Sequence, residues 1–290
     1  MDINQVITGE LGVKRWQVDA AVKLIDEGNT IPFIARYRKE VTGTLDDAQL
    51  RTLYERLVYL RNLEEKKEQV LSSIEEQGKL TGELKKQILA AETMVVVEDL
   101  YRPYRPKRRT RAMIAKEKGL EPLANLILLQ MTNEPLEKEA KAFINEEKDV
   151  KTVEDALKGA NDIIAEHIAD DAEYRTWIRK ATWDHGKITS TAKKPDESSV
   201  FEMYYDFEEP IKKIAGYRIL AINRGEKEGI LQVKIEPDMQ KIASYLARKI
   251  VTKKNPNTTK ALFAAIEDSY KRLIAPSIER DIRNELTENA

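Results

Sequence analysis

The chain contains no cysteine. That excludes disulfides, thiolate metal sites and cysteine nucleophiles. Histidine is nearly absent, with only His167 and His185. No apolar run approaches the roughly 20 residues needed to cross a bilayer, and the opening MDINQVITGELG lacks the basic and apolar regions of a signal peptide. A cytoplasmic protein is therefore expected. There is no GxxxxGK[ST], GxGxxG or GxSxG, so the common nucleotide-binding and hydrolase motifs are missing. No catalytic residues, bound metal or cofactor are expected. Net charge is also lacking: 49 basic residues against 50 acidic ones leave −1. Any attraction to a polyanion must come from a local patch.

The 290 residues are instead rich in charge, at 34%, and carry helical periodicity. The 12 glycines and 10 prolines fall mostly between periodic segments. A mainly α fold is expected, with at most a small β element near 230–236. There Leu231, Val233 and Ile235 alternate with Gln232, Lys234 and Glu236. That strand needs a partner, from 201–207 or from outside the chain.

Short helices are expected over the first 45 residues, one from about Lys14 to Glu27 and the next capped by Thr30 with Pro32 in its first turn. A long helix follows over 46–77, started by Thr44 and Asp47. Leu50, Leu53, Leu57 and Leu60 form a seam that Glu64 and Lys67 break, with Leu63, Val70 and Ile74 carrying a shifted stripe instead. A helix over 83–97 returns to it. Two short helices hinge at Gly119, and a short one covers 135–145. A second long helix is expected over 153–183, with Thr152 and Asp155 as its capping box. The stretch 186–199 reads as a boundary loop, which divides the chain into 1–190 and 191–290. Beyond it come a helical piece over 210–224, broken or kinked near Gly216, then helices over 238–252 and 257–288, the last kinked at Pro276.

The stretch EDLYRPYRPKRRTRA, residues 98–112, is the one strongly basic patch. Arg102, Arg105, Lys107, Arg108, Arg109 and Arg111 offer contacts to phosphates, and Tyr104 offers a stacking face. The same cations can pair with carboxylates such as Glu98 and Asp99 or cap helix carbonyls. Arg36, Arg38 and Lys39 form a second cluster, on a helix whose Phe33, Ile34 and Tyr37 mark it as a core element. Glu166, His167, Asp170, Asp171 and Glu173 have helical spacing but no metal motif, so a solvated acidic face is preferred. His185 reads as a helix-end cap.

TIPFIARYRKEVTGTLDD, EDLYRPYRPKRRTRAMIAKEKGLEPLA and RILAINRGEKEG occur in the order and spacing of the N-terminal half of the bacterial Tex transcription accessory proteins. The chain resembles that family over essentially its whole length. One departure is Gly216-Tyr217-Arg218, where the family shows a Ser-His-Arg step. The resemblance implies a helix-turn-helix-like unit over 1–45 and a helical connector over 191–290. It also implies RNase H-like, helix-hairpin-helix and OB-type RNA-binding domains beyond this piece. It implies a nucleic-acid-associated scaffold, with RNA preferred to DNA; the missing motifs and apolar runs add that it is not an enzyme and meets no membrane, and a monomer is expected. The alternative is a module that contacts RNA polymerase or the ribosome without binding nucleic acid.

Overall fold

In the computed structural model, which describes residues 1–290, the chain forms two compact units, Met1–Tyr101 and Arg102–Ala290. It is mainly α, with one three-stranded sheet.

The first unit holds α1 (Ile3–Leu11), α2 (Arg15–Asp26), α3 (Ile31–Tyr37), α4 (Asp47–Glu76), α5 (Gly82–Ala90) and α6 (Met94–Tyr101). Its axis is α4. Leu50, Leu53, Leu57, Leu60, Leu63, Lys67, Val70 and Ile74 recur at spacings of three and four and are all buried. That stripe is the surface on which α1, α2, α3, α5 and α6 pack. The cap of α4 lies two residues later than expected. Asp46 Oδ1 accepts from the Gln49 amide at 2.7 Å, and Gln49 Oε1 accepts from the Asp46 amide at 3.0 Å. Thr44 instead sits in a left-handed turn, at φ 66°.

Lys67 does not break the seam; it completes it. Its side chain is 1% exposed, and its ammonium donates to Leu89 O at 2.8 Å and lies 3.2 Å from Glu64 Oε1. Leu89 O is one of the last-turn carbonyls of α5, which have no partner within the helix. The helix expected over 83–97 is divided, because Thr93 caps α6: its Oγ1 accepts from Val96 N at 3.3 Å.

The second unit begins with α7 (Arg111–Glu117), α8 (Glu121–Leu129) and α9 (Leu136–Ala140), followed by α10 (Val153–Ala169) and α11 (Ala172–His185). Thr152 and Asp155 cap α10 as the sequence suggests. Ala156, Gly159, Ala160 and Ala165 make the buried side of α10 slim, and α7, α8, α9 and α14 (Pro256–Asp268) close around it. A Cβ on Gly159 would fall 2.2 Å from Leu120 Cδ1. The single helix expected over 153–183 is two. Asp171 leaves the helix and caps α11, accepting from Tyr174 N at 3.0 Å.

The sheet is built from β1 (Lys187–Ala192), β2 (Asp206–Pro210) and β3 (Leu231–Glu236), in the antiparallel order β2-β1-β3. The β3 alternation holds, with Leu231, Val233 and Ile235 buried. Its partner is β1, where Ile188 sits opposite Ile235. The polar composition of 187–192 reads as a loop, yet Ile188 and Ser190 are buried on one face of the central strand. β-branched Ile188, Thr189 and Thr191 suit that pleated position. The stretch 193–199, read as a boundary, joins β1 to β2. In place of a helix from residue 210, β2 occupies 206–210 and α12 starts at Gly216 (Gly216–Lys227).

The unit ends with α13 (Met239–Ile250), α14, a π-helical segment (Ser269–Ile274) and α15 (Ala275–Asn289). Pro276, in the first turn of α15, has no amide to donate. The chain absorbs this by widening the preceding turns to π-helix, and Ser277 Oγ donates to Ile274 O at 3.0 Å.

Candidate nucleic-acid interface

The basic loop leads into α7, whose start is set by Thr110: its Oγ1 accepts from Met113 N at 3.1 Å. Ala112 and Ala115 of α7 pack into the core around α10. The loop is thereby held to the surface of the second unit at its C-terminal end.

Lys107 pins its middle. The ammonium reaches α10, lying 3.3 Å from Glu166 Oε1 and also donating to Asp170 Oδ2. All three side chains are about one-fifth exposed or less. Burial pushes the Asp170 carboxyl above the usual aspartate range, and the Lys107 ammonium opposes that rise. Thus Glu166 and Asp170, members of the acidic cluster in the sequence, hold a lysine. The exposed His167 points elsewhere on α10.

The seven expected contact residues therefore separate. Lys107 is neutralised by two carboxylates, and Arg109 pairs with Glu117 at 2.6 Å on the open surface. Arg102 is partly buried, with an Nε that has no hydrogen-bond partner. Tyr104 is partly buried, so only part of its ring is open to a base. Arg105, Arg108 and Arg111 are exposed and make no side-chain hydrogen bond or ion pair. Arg111 differs from the other two. It lines a cavity of about 460 Å³ with Lys118, Lys158, Asp149, Asp155 and Asp162, where charge of both signs is present. Burial raises the Asp162 carboxyl, and the Arg272 and Arg111 guanidinium groups oppose the rise. Arg105 and Arg108, on either side of the Lys107 anchor, are the cations best placed to meet an outside phosphate.

The sequence does not signal the role of Arg175, on the N-terminal half of α11. It is 1% exposed. Its Nε donates to Ala169 O at the end of α10, and its Nη atoms reach Ser277 Oγ at 2.5 Å and Leu273 O at 3.3 Å. It is a structural cation that ties the helix break to the π-helical segment. His185 is exposed, with Nε2 3.3 Å from Lys241 Nζ. No helix is long and apolar enough to cross a membrane.

Residues 1–75 match the Tex-like protein N-terminal domain, and residues 131–290 match the Tex central region-like domain. The Bacillus subtilis (strain 168) protein YdcI is 49% identical over 99% of this chain, which covers 40% of YdcI. The transcriptional accessory protein Tex of Neisseria gonorrhoeae is 46% identical over 82% of this chain, covering 32% of that protein. The human S1 RNA-binding domain-containing protein 1 is 31% identical over the full chain, covering 30% of its length. The chain thus spans well under half the length of these relatives. With the two domain matches taking in the α4 seam at one end and the α10 core, sheet and π-helical segment at the other, the chain belongs to the Tex family.

Proposed function

We propose that this chain is a non-enzymatic helical scaffold of a transcription accessory factor, which makes weak, sequence-independent phosphate contacts and positions RNA-binding modules of the longer protein. The observation that carries the reading is the state of the basic loop. Lys107 is used up in fixing it to α10, while Arg105 and Arg108 stand exposed and unpaired beside that anchor. Pro103 and Pro106 lower the entropy that the loop loses on ordering. RNA is favoured over DNA because a relative of this chain is named for an S1 RNA-binding domain.

Phosphate contacts release counterions, and each contributes about 0.7 to the slope of log affinity against log salt for a single strand. Arg105→Ala combined with Arg108→Ala should therefore lower that slope by about 1.4, measured by fluorescence anisotropy with a labelled oligoribonucleotide. An unchanged affinity and slope would remove the loop as the contact. One observation favours a protein contact instead: Val200 is 90% and Met203 70% exposed, between β1 and β2. Under that alternative the chain captures RNA polymerase or ribosomal components while shifting no nucleic acid at low salt.

A further inference from the structure

The first unit treats its arginines unequally. Arg15 pairs with Asp2 and Asp19, Arg51 with Asp47, Arg56 with Glu10 and Arg61 with Asp26. Arg36 and Arg38, at the end of α3, have no carboxylate partner, and Lys39 beside them is exposed and also unpaired. Arg38 donates to Tyr37 O at 2.9 Å, and both guanidinium groups lie against aromatic rings. The Arg36 guanidinium lies 5.5 Å from the centre of the Tyr37 ring, and that of Arg38 lies 4.9 Å from the Phe33 ring. Phe33 and Tyr37 themselves pack at 5.3 Å. The result is a run of guanidinium, ring, ring and guanidinium on the surface, with Tyr37 54% exposed.

The backing is rigid. Ile34 of the same helix is fully buried. The turn that leaves α3 is tied back by Thr42 N to Arg38 O at 3.2 Å and Thr44 N to Lys39 O at 2.8 Å. Gln17 of α2 donates to Gly43 O at 2.9 Å. Gly43 has φ +63°, and a Cβ there would lie 2.5 Å from Trp16 Cη2. Trp16 therefore rests on that turn, with half of its surface open (52%). A cation at a helix C-terminus is favourable in itself. That accounts for neither the open Tyr37 ring nor the placing of an arginine at each end of the aromatic pair.

We infer that the end of α3 is a stacking platform for single-stranded nucleic acid. An unpaired base stacks on Tyr37, Arg36, Arg38 and Lys39 meet the flanking phosphates, and Trp16 offers a second face. Unneutralised cations select a polyanion, and a half-exposed ring covered only by a mobile arginine selects one with exposed bases, which stack on Tyr37 as Arg36 turns to a phosphate. A duplex fits less well. The helix has only seven residues, its cations lie at its C-terminal end, and Ile34 is committed inward. This site lies in the first unit and does not depend on the contacts proposed for the loop of the second.

The test is anisotropy with a labelled oligouridylate and with a duplex of equal length, at low salt, on the whole chain. Tyr37→Ala should weaken single-strand binding about tenfold, the loss of one base stack, and Tyr37→Phe should keep it. Arg36→Ala with Arg38→Ala should weaken binding and lower its salt slope. In the unsubstituted chain, a photo-reactive uridine oligomer should cross-link to residues 33–39 or to Trp16, which needs no variant to fold. Tyr37→Ala binding that matches the parent, with no cross-link in that segment, would overturn the inference. So would equal binding of the duplex, or full competition by polyglutamate, which would mark the patch as a surface for acidic proteins.

Discussion

Each unit is organised around one helix, but α4 and α10 do this in different ways. α4 presents a stripe made mostly of leucines, against which the short helices pack. α10 mixes Ile163, Ile164 and Ile168 with alanines and Gly159, and at the small residues a neighbour's side chain fills the gap, as Leu120 does at Gly159. Each core also encloses a long cation. Lys67 in the first satisfies one helix-end carbonyl, that of Leu89. Arg175 in the second satisfies the carbonyls of Ala169 and Leu273 and bonds the Ser277 hydroxyl. The difference teaches that a buried cation in a helical core supplies donors to acceptors left open at helix ends and widened turns, and that its weight grows with the number it serves.

The largest expected effect follows from Arg175. Arg175→Ala leaves two carbonyls and a hydroxyl buried without their donor and opens a cavity. It should destabilise the second unit by about 3–5 kcal/mol. Hydrogen exchange over 153–185 and 269–278 would report the loss, with protection over 47–76 unchanged. Lys67→Ala removes one donor and part of the α4 seam, at a cost of about 2 kcal/mol. Lys67→Met should recover most of that by restoring the packing, as thermal melting would show. Equal costs at the two positions would break the comparison, since the number of carbonyls served would then not matter.

The smallest effect concerns the anchor of the basic loop. Burial raises the folded-state pKa of Asp170, so its burial costs stability at neutral pH, and that cost is relieved as pH falls through the folded value. The protonated carboxyl no longer balances Lys107, which keeps only Glu166. Once the intrinsic slowing of amide exchange in acid is divided out, exchange of 102–110 should therefore quicken on mild acidification before exposed aspartates titrate, while the second unit as a whole stays folded. Asp170→Asn should give the same quickening already at pH 7, with a loss under about 1 kcal/mol. If neither treatment moves the exchange of the loop, Lys107 does not hold it.

Legibility followed the range of the interactions. The α4 stripe, the capping box of Thr152 with Asp155, the Thr30 cap and the β3 alternation all depend on residues a few positions apart, and the structure shows each of them. The misreadings arose where one residue had two local meanings. Asp171 has helical spacing behind it but caps the next helix, and Thr93 does the same for α6. β1 is polar in composition because its buried face needs only Ile188 and Ser190. Its identity as the central strand rests on partners about 20 and 45 residues further along the chain.

The basic loop was legible as charge but not as a site. Counting Arg and Lys cannot separate Lys107, bound to carboxylates 59 and 63 positions away, from Arg105 and Arg108, bound to none. The arginine–aromatic run on α3 was hidden in a different way. Phe33, Ile34 and Tyr37 look alike as core residues, and only exposure separates the buried Ile34 from the open Tyr37.

By itself, the sequence determined the helical class, the extents of α2, α4 and α13, the family and the positions of the cations, because periodicity, caps and charge are local properties of the chain. The tertiary structure alone decided where α10 and α11 part, which strand lies at the centre of the sheet, and that Lys67 and Arg175 are buried caps. It also decided which cations remain free to meet a ligand. A charge is spent or available according to the carboxylates that folding brings within about 4 Å of it, and distant pairings of that kind leave no mark on the residues nearby.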